Sequence, residues 1–123
     1  MDATKLVESY LDTWNEADPV ARRSAVASVW AEDAQYVDPL ASVSGHDEIS
    51  ELIGGVHQQA PGHVFRLLDD RVDTHHNVAR FSWELVPSSG GESLAIGFDV
   101  AVTGEDGRIR TVFGFLDKVP GEN

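Results

Sequence analysis

The chain has 123 residues, of which 9 are basic and 21 acidic, so its formal net charge is −12, and it has no cysteine. Its length fits one domain, so we predict a single domain over residues 1–123, and its charge argues against nucleic acid as a partner because phosphate backbones would be repelled. No apolar run is long enough for a membrane span, and the lack of cysteine excludes disulfides and thiolate sites, so we expect a cytoplasmic protein.

Apolar residues at helical spacing predict three helices in the first half of the chain. The first covers residues 3–16, and its apolar stripe is Leu6, Val7, Tyr10, Leu11 and Trp14. Asp18 and Pro19 fit an N-cap followed by proline at the first helical position, so a second helix should cover residues 19–30, with Arg22 and Arg23 exposed. A third helix should begin at residues 44–45 and end before Pro61.

A short apolar run over residues 34–37 predicts a strand that ends at Asp38 and Pro39, and a loop should follow it. Proline has no amide N–H and pushes the preceding residue toward extended backbone, so strand pairing should stop here. Asp38 would then project beside whatever cavity the fold encloses. The alternative is that Asp38 is an ordinary turn aspartate ahead of a proline.

From residue 63 the apolar period changes to two. Strands are predicted over residues 63–68, 71–75, 78–86, 93–103 and 108–116, with turn residues between them. Helices followed by an antiparallel meander indicate an α+β fold. In the fourth of these strands the alternation places Asp99 with Gly97 and Ala101 on one face, and Phe98 with Val100 on the other. An aspartate is disfavoured in mid-strand, so either that face is wet or Asp99 has a function.

The order of elements resembles the nuclear transport factor 2-like superfamily, and within it the ketosteroid isomerase and SnoaL-like polyketide cyclase branches. The resemblance covers nearly the whole chain. It rests on residues 10–15, 30–34, 38–39, 45 with 49, 77–81, and 106–109 with 114. It implies a cone-shaped fold in which three N-terminal helices pack in a strongly curved antiparallel sheet.

The resemblance also implies an active site made of Tyr10, Asp38 and Asp99, which match the functional positions of ketosteroid isomerases. One carboxylate would abstract a proton next to a carbonyl group while two neutral donors hold the enolate oxygen. In the cyclase-like alternative, Asp99 is the base and Asp38 an accessory. Tyr10 could equally be a core tyrosine with its hydroxyl at the rim. Apolar walls expected to bind substrate and keep an acid protonated include Trp83, Phe98 and Phe113.

The five histidines give no clear metal site. His75 and His76 are adjacent and would point to opposite faces of a strand, and His57 should lie on the outer face of the third helix. His63, at the start of a strand, is the one candidate for a pocket base or donor. We therefore expect no metal and no cofactor.

We expect a cofactor-independent enzyme, isomerase-like or cyclase-like, that acts on a small apolar carbonyl compound. Two alternatives stay open, a ligand-binding domain without catalysis and a protein-interaction domain that uses the outer face of the sheet. Large apolar residues on that outer face predict a homodimer.

Overall fold

Three helices precede Pro61 in the computed structural model, which describes residues 2–120. They are α1 (Ala3–Asn15), α2 (Pro19–Val29) and α3 (Gly45–Gln59). The side chains of Asp2 and Asp18 cap α1 and α2, because each accepts a hydrogen bond from an amide N–H of the first turn. The three predicted helices are confirmed. None of the helices within residues 2–120 is long and apolar enough to cross a membrane.

Six strands form one sheet in the order β2-β1-β6-β5-β4-β3. They are β1 (Trp30–Val37), β2 (Ser42–Ser44), β3 (His63–His75), β4 (Val78–Pro87), β5 (Ala95–Thr103) and β6 (Ile109–Lys118). The last four form the predicted antiparallel meander. However, β1 runs parallel to β6, so the sheet is mixed and not wholly antiparallel. Alternation identifies strands in a sequence, but it does not show which distant strand each one pairs with.

The strand β3 is continuous where the sequence predicted two strands. Its pairing with β4 shifts register between Leu68 and Val72. Asp69 and Asp70, which lie in that interval, have φ angles of 67° and 54°. This left-handed backbone forms a bulge, and the extra residues interrupt the alternation without ending the strand. A second difference is β2, a short strand where the sequence predicted a loop.

One face of the sheet packs against the helices and forms the core. Along β5 the burial alternates strictly, with Gly97, Asp99 and Ala101 on the buried face and Phe98 on the other. The ring of Trp83 fills the space that a side chain at position 97 would need. The strand alternation therefore turns Asp99 toward the helices and away from water.

Arg22 is buried, so the prediction that it is exposed is wrong, whereas Arg23 is exposed as expected. The Arg22 guanidinium donates hydrogen bonds to the carbonyl oxygens of Glu16 (2.9 Å) and Ala17 (3.0 Å), just after α1. A Cβ at Gly54 of α3 would lie 2.7 Å from Arg22 Nη1, so the glycine leaves room for the guanidinium. Helical periodicity marks arginine as polar and cannot show that backbone carbonyls satisfy it inside the protein.

Candidate active site

Tyr10 and Asp99 form a buried hydrogen-bonded pair between α1 and β5. Tyr10 lies on the apolar stripe of α1, Asp99 lies on the buried face of β5, and the two residues are 1% and 2% exposed. The Tyr10 hydroxyl donates to Asp99 Oδ2 at 2.7 Å. Asp99 therefore does not face water, and the Tyr10 hydroxyl is not at a rim.

The surroundings of Asp99 favour its protonated form. Burial raises its pKa to about 6, the hydrogen bond from Tyr10 and the nearby Trp83 side chain lower it, and the charge of Asp38 raises it further. Burial and the charge of Asp99 also raise the pKa of the Tyr10 hydroxyl well above its usual range. Near neutral pH, then, Tyr10 is a neutral donor, whereas Asp99 is mostly ionised and becomes a donor as the pH falls through about 6.

Asp38 follows β1 and is half-buried. Its Oδ2 accepts a hydrogen bond from the Tyr36 hydroxyl at 2.7 Å. Its Oδ1 accepts from the backbone N–H groups of Leu40 and Ala41, both at 2.8 Å. Asp38 is thus a turn aspartate ahead of a proline, as the alternative predicted. The same carboxylate also contacts Tyr36 on the inner face of the sheet.

Gly114 of β6 lies beside both aspartates. A Cβ at this position would lie 3.0 Å from Asp99 Oδ1, 3.2 Å from Asp38 Cβ and 3.2 Å from Tyr36 Oη. Only a residue without a side chain leaves room for all three groups. We call Tyr10, Tyr36, Asp38 and Asp99 the acid–tyrosine cluster.

A narrow cleft borders this cluster through Trp14. The residues that line it are Trp14, Val56, His57, Ala60, His63, Phe65 and Leu85. The ring of Trp14 packs against Tyr36 with 5.3 Å between ring centroids and against Phe65 with 5.4 Å. A second cavity lies at the bulge of β3, where Asp69 and Arg80 are among its lining residues.

Neither of these two cavities is lined by Tyr10, Asp38 or Asp99. The structure brings the three side chains together, but the prediction that they share one open cavity stays a prediction.

Comparison with known proteins places the chain in a family. Residues 7–112 match the SnoaL-like domain. The chain belongs to the SnoaL-like family. A proposed isomerase of this family from Agrobacterium tumefaciens is 40% identical, with a TM-score of 0.88 over 94% of this chain and 97% of that chain. A search of curated proteins gives no match.

Two more distant structures share the fold of this SnoaL-like chain. A proposed ketosteroid isomerase from Kribbella flavida is 20% identical, with a TM-score of 0.69 over 98% of this chain and 82% of that chain. A proposed polyketide cyclase from Sinorhizobium meliloti is 17% identical, with a TM-score of 0.69 over 89% of this chain and 93% of that chain. The nuclear transport factor 2-like fold that the resemblance implied is thereby confirmed, whereas its cone shape and the strong curvature of the sheet stay predictions.

The four predicted substrate-binding residues of the SnoaL-like chain lie in three different places. Trp83 lies beside Asp99 and interacts with its carboxylate. Phe98 and Phe113 lie on the opposite face of the sheet, where Phe113 is 46% exposed. His63 lies at the rim of the cleft, with Nδ1 3.0 Å from the carbonyl oxygen of Pro61. Of these four residues, the structure brings only Trp83 to the acid–tyrosine cluster.

His57 corrects another prediction, since it does not lie on the outer face of α3. Its ring Nε2 lies 2.8 Å from the carbonyl oxygen of Trp14, and the ring borders the cleft. Across residues 2–120, no group of three or more His, Asp and Glu side chains is placed to hold a metal ion.

Sequence analysis missed Tyr36 as a site residue. The apolar pattern predicts Tyr36 only as part of a strand, yet its hydroxyl joins the cluster. Burial, and to a smaller extent the charges of Asp99 and Asp38, raise the pKa of this hydroxyl. A signal was present in the sequence. Tyr36 and Asp38 are two residues apart at the end of a strand, a spacing that places both side chains on one face.

Proposed function

We propose that this SnoaL-like protein is a cofactor-independent enzyme that moves a proton next to the carbonyl group of a small apolar compound, as an isomerase or a polyketide cyclase does. The observation that carries the proposal is the buried Tyr10–Asp99 pair at 2.7 Å. The second aspartate, Asp38, lies beside Gly114, as Asp99 does. The relative from A. tumefaciens, which is described as a proposed isomerase, supports it.

In the reaction we propose, Asp38 takes a proton from the carbon next to the carbonyl group. The electron pair of that C–H bond forms a carbon–carbon double bond, the π pair of the carbonyl group moves onto its oxygen, and an enolate results. Tyr10 turns its hydroxyl hydrogen from Asp99 Oδ2 to this oxygen, protonated Asp99 also donates to it, and the negative charge is stabilised because both groups are already in position. Asp38 then returns the proton to a different carbon in an isomerisation. In a cyclisation the enolate carbon attacks a second carbonyl carbon, and the alkoxide that forms there takes the proton from Asp38.

The different surroundings of the two acids favour these roles. Asp38 is half-buried, whereas Asp99 is 2% exposed and has a raised pKa of about 6. A base must be ionised, while an acid that donates a hydrogen bond must be kept neutral by its surroundings. The cyclase-like alternative reverses the roles, with Asp99 as the base.

One observation favours ligand binding without catalysis as a second candidate function. Asp38 already accepts three hydrogen bonds, from the Tyr36 hydroxyl and from two backbone amides. A carboxylate that is needed to hold a turn has fewer lone pairs available for a substrate proton. In that case the cluster would bind the oxygen of a ligand but would not turn it over.

The test is the conversion of a β,γ-unsaturated ketone to its conjugated isomer, followed by ultraviolet absorbance. If Asp38 is the base, Asp38→Asn should lower turnover about 10²- to 10⁴-fold, because one general base is removed, while binding of a phenol survives. Asp99→Asn should be less harmful than Asp99→Ala, because an amide still donates a hydrogen bond. If Asp99 is the base, both Asp99 variants should be equally inactive and Asp38→Asn nearly silent.

The matched control is Asp33→Asn, which changes an exposed aspartate of β1, the strand that Asp38 follows. It should keep the turnover of the wild type. A wild-type protein that binds phenol but does not isomerise the ketone would exclude this isomerase activity and support the ligand-binding candidate.

We also propose that the outer face of the sheet joins two copies of the chain. Val37, Phe113 and Phe115 are exposed there by 38%, 46% and 54%, and Phe98 packs against Phe115 with 6.2 Å between ring centroids. A contiguous apolar surface of this kind is uncommon on a monomer. Location in the cytoplasm stays a prediction.

A further inference from the structure

Two buried polar side-chain atoms of the described residues have no hydrogen-bond partner there. They are Trp14 Nε1 and Asp99 Oδ1. The two residues are 6% and 2% exposed, so bulk solvent does not satisfy these atoms. Unpaired buried polar atoms are costly and uncommon in native proteins, so a functional reason for the pair is worth seeking.

Both atoms adjoin Tyr10. Trp14 comes one helical turn after Tyr10 on α1, so the two side chains share a face of the helix. The Trp14 indole is close enough to lower the pKa of the Tyr10 hydroxyl, yet it makes no hydrogen bond of acceptable geometry. The other oxygen of Asp99 accepts from the Tyr10 hydroxyl at 2.7 Å. One unpaired donor and one unpaired acceptor thus flank the same hydroxyl.

Trp30 shows that an unpaired indole is not a general feature of this core. Its ring also packs against Tyr10, with 5.4 Å between ring centroids. Its Nε1 nevertheless donates to the Thr13 hydroxyl at 3.3 Å. The unpaired N–H is therefore specific to Trp14, the tryptophan that also lines the cleft.

We propose that the Trp14 indole N–H is a ligand-binding donor of this site, which acts beside Tyr10 and Asp99 on the oxygen of a flat, uncharged enol or phenol. This inference rests on the proposed function and adds a third donor to it. A hydroxyl oxygen can accept from Trp14 while its hydrogen is donated to Asp99 Oδ1 when Asp99 is ionised, so a single group satisfies both unpaired atoms. When Asp99 is protonated, the same oxygen accepts from Asp99 and from Trp14. A carbonyl oxygen would accept from Trp14 in the same way.

The narrow cleft that Trp14 borders is lined by apolar side chains together with His57 and His63. Val56, Phe65 and Leu85 supply apolar surface, and no Lys or Arg is among the lining residues. Two carboxylates at the cluster disfavour a carboxylate or phosphate ligand, because like charges would be brought together in buried surroundings.

The test uses 2-naphthol and the indole N–H signals of the full chain in a ¹H–¹⁵N NMR spectrum. The chain has three tryptophans, so three indole signals are expected, and single Trp→Phe variants assign them. On addition of 2-naphthol the Trp14 indole proton should move downfield as it gains an acceptor, while the Trp30 signal should stay in place.

Affinity gives a second measurement. Trp14→Phe keeps an aromatic ring and removes one hydrogen bond, so it should weaken 2-naphthol binding about fivefold to tenfold. It should also reduce the dependence of affinity on phenol pKa across a series of substituted phenols, an effect that a general loss of packing would not produce. Trp30→Phe is the matched control and should change neither quantity.

The inference is overturned if bound 2-naphthol leaves the Trp14 signal unmoved, which would mean that a buried water or nothing satisfies the indole. It is also overturned if Trp14→Phe binds every phenol as the wild type does, or if folded wild type binds no 2-naphthol at all. Turnover is measured separately. A protein that isomerises the ketone without the Trp14 effect refutes only this inference, and one that shows the effect without turnover refutes only the proposed enzyme activity.

Discussion

Replacing Asp99 with asparagine should stabilise the protein, and the stabilisation should grow as pH rises. The carboxyl group of Asp99 has a pKa of about 6 in the folded protein because it is buried. In the unfolded chain its pKa is about 3.9. The folded protein therefore binds this proton more tightly, and the stability that the group contributes below about pH 4 is lost as pH rises through about 6. An amide of the same shape does not ionise, so the variant escapes this loss.

The size of the effect follows from the two pKa values. A difference of about 2 pH units, at 1.36 kcal/mol per unit, corresponds to a full loss of about 3 kcal/mol in the free energy of unfolding. Roughly 2 kcal/mol of that loss falls between pH 4.5 and pH 7.5, because part of it is already present at the lower pH. For a domain of this size, 2 kcal/mol is a large share of the total stability.

The assay is urea unfolding of the wild type and Asp99→Asn at pH 4.5, 6.0 and 7.5. Other titrating groups are common to both proteins, so only the difference in the free energy of unfolding is interpreted. Asp117→Asn, a change at an exposed aspartate, is the control and should give a difference that does not vary with pH. A difference between Asp99→Asn and wild type that stays constant, or shrinks as pH rises, would refute a buried Asp99 with a raised pKa.

Three further predictions concern packing and assembly. Gly114→Ala should lower turnover at least tenfold and cost about 1–3 kcal/mol in the free energy of unfolding, because the new Cβ would lie 3.0 Å from Asp99 Oδ1. The control Gly55→Ala, whose Cβ would have no atom within 4 Å, should be neutral or stabilising in urea unfolding. Asn15→Ala should cost about 1–3 kcal/mol, because the amide exchanges two 2.7 Å hydrogen bonds with the β3 backbone; loss of protection in hydrogen exchange at the start of β3 would accompany it, and unchanged protection would contradict it. Phe115→Ser should turn a dimer into a monomer in light scattering, whereas a wild type of 13.4 kDa at micromolar concentration would contradict the dimer.

Much of the fold could be predicted because periodicity reports directly on burial. The apolar stripe of α1 placed Tyr10 in the core. The alternation of β5 placed Asp99 with Gly97 and Ala101 on one face, but it did not show that this face is the buried one. The caps at Asp18 and Pro19 fixed where α2 begins, since their side-chain and backbone requirements are local. The same alternation places Phe98 opposite Asp99, which argues against Phe98 as a wall of the site.

What could not be predicted depends on contacts between distant segments. The parallel pairing of β1 with β6 and the buried guanidinium of Arg22 both need partners that lie far away or are backbone atoms. The bulge at Asp69 and Asp70 needs backbone angles that the composition does not report. The unpaired indole of Trp14 is of the same kind, since a sequence shows a tryptophan but not the absence of an acceptor.

The most direct test of proton abstraction by Asp38 is proton exchange at the carbon next to a carbonyl group. Cyclohex-3-enone would be incubated in D₂O with the wild type, Asp38→Asn or Asp33→Asn, and deuterium at that carbon would be followed by NMR. If Asp38 is the base, exchange should be rapid with the wild type and with Asp33→Asn, and at least about 10²-fold slower with Asp38→Asn. Exchange no faster than in buffer with the wild type, or equally fast with Asp38→Asn, would contradict proton abstraction by Asp38.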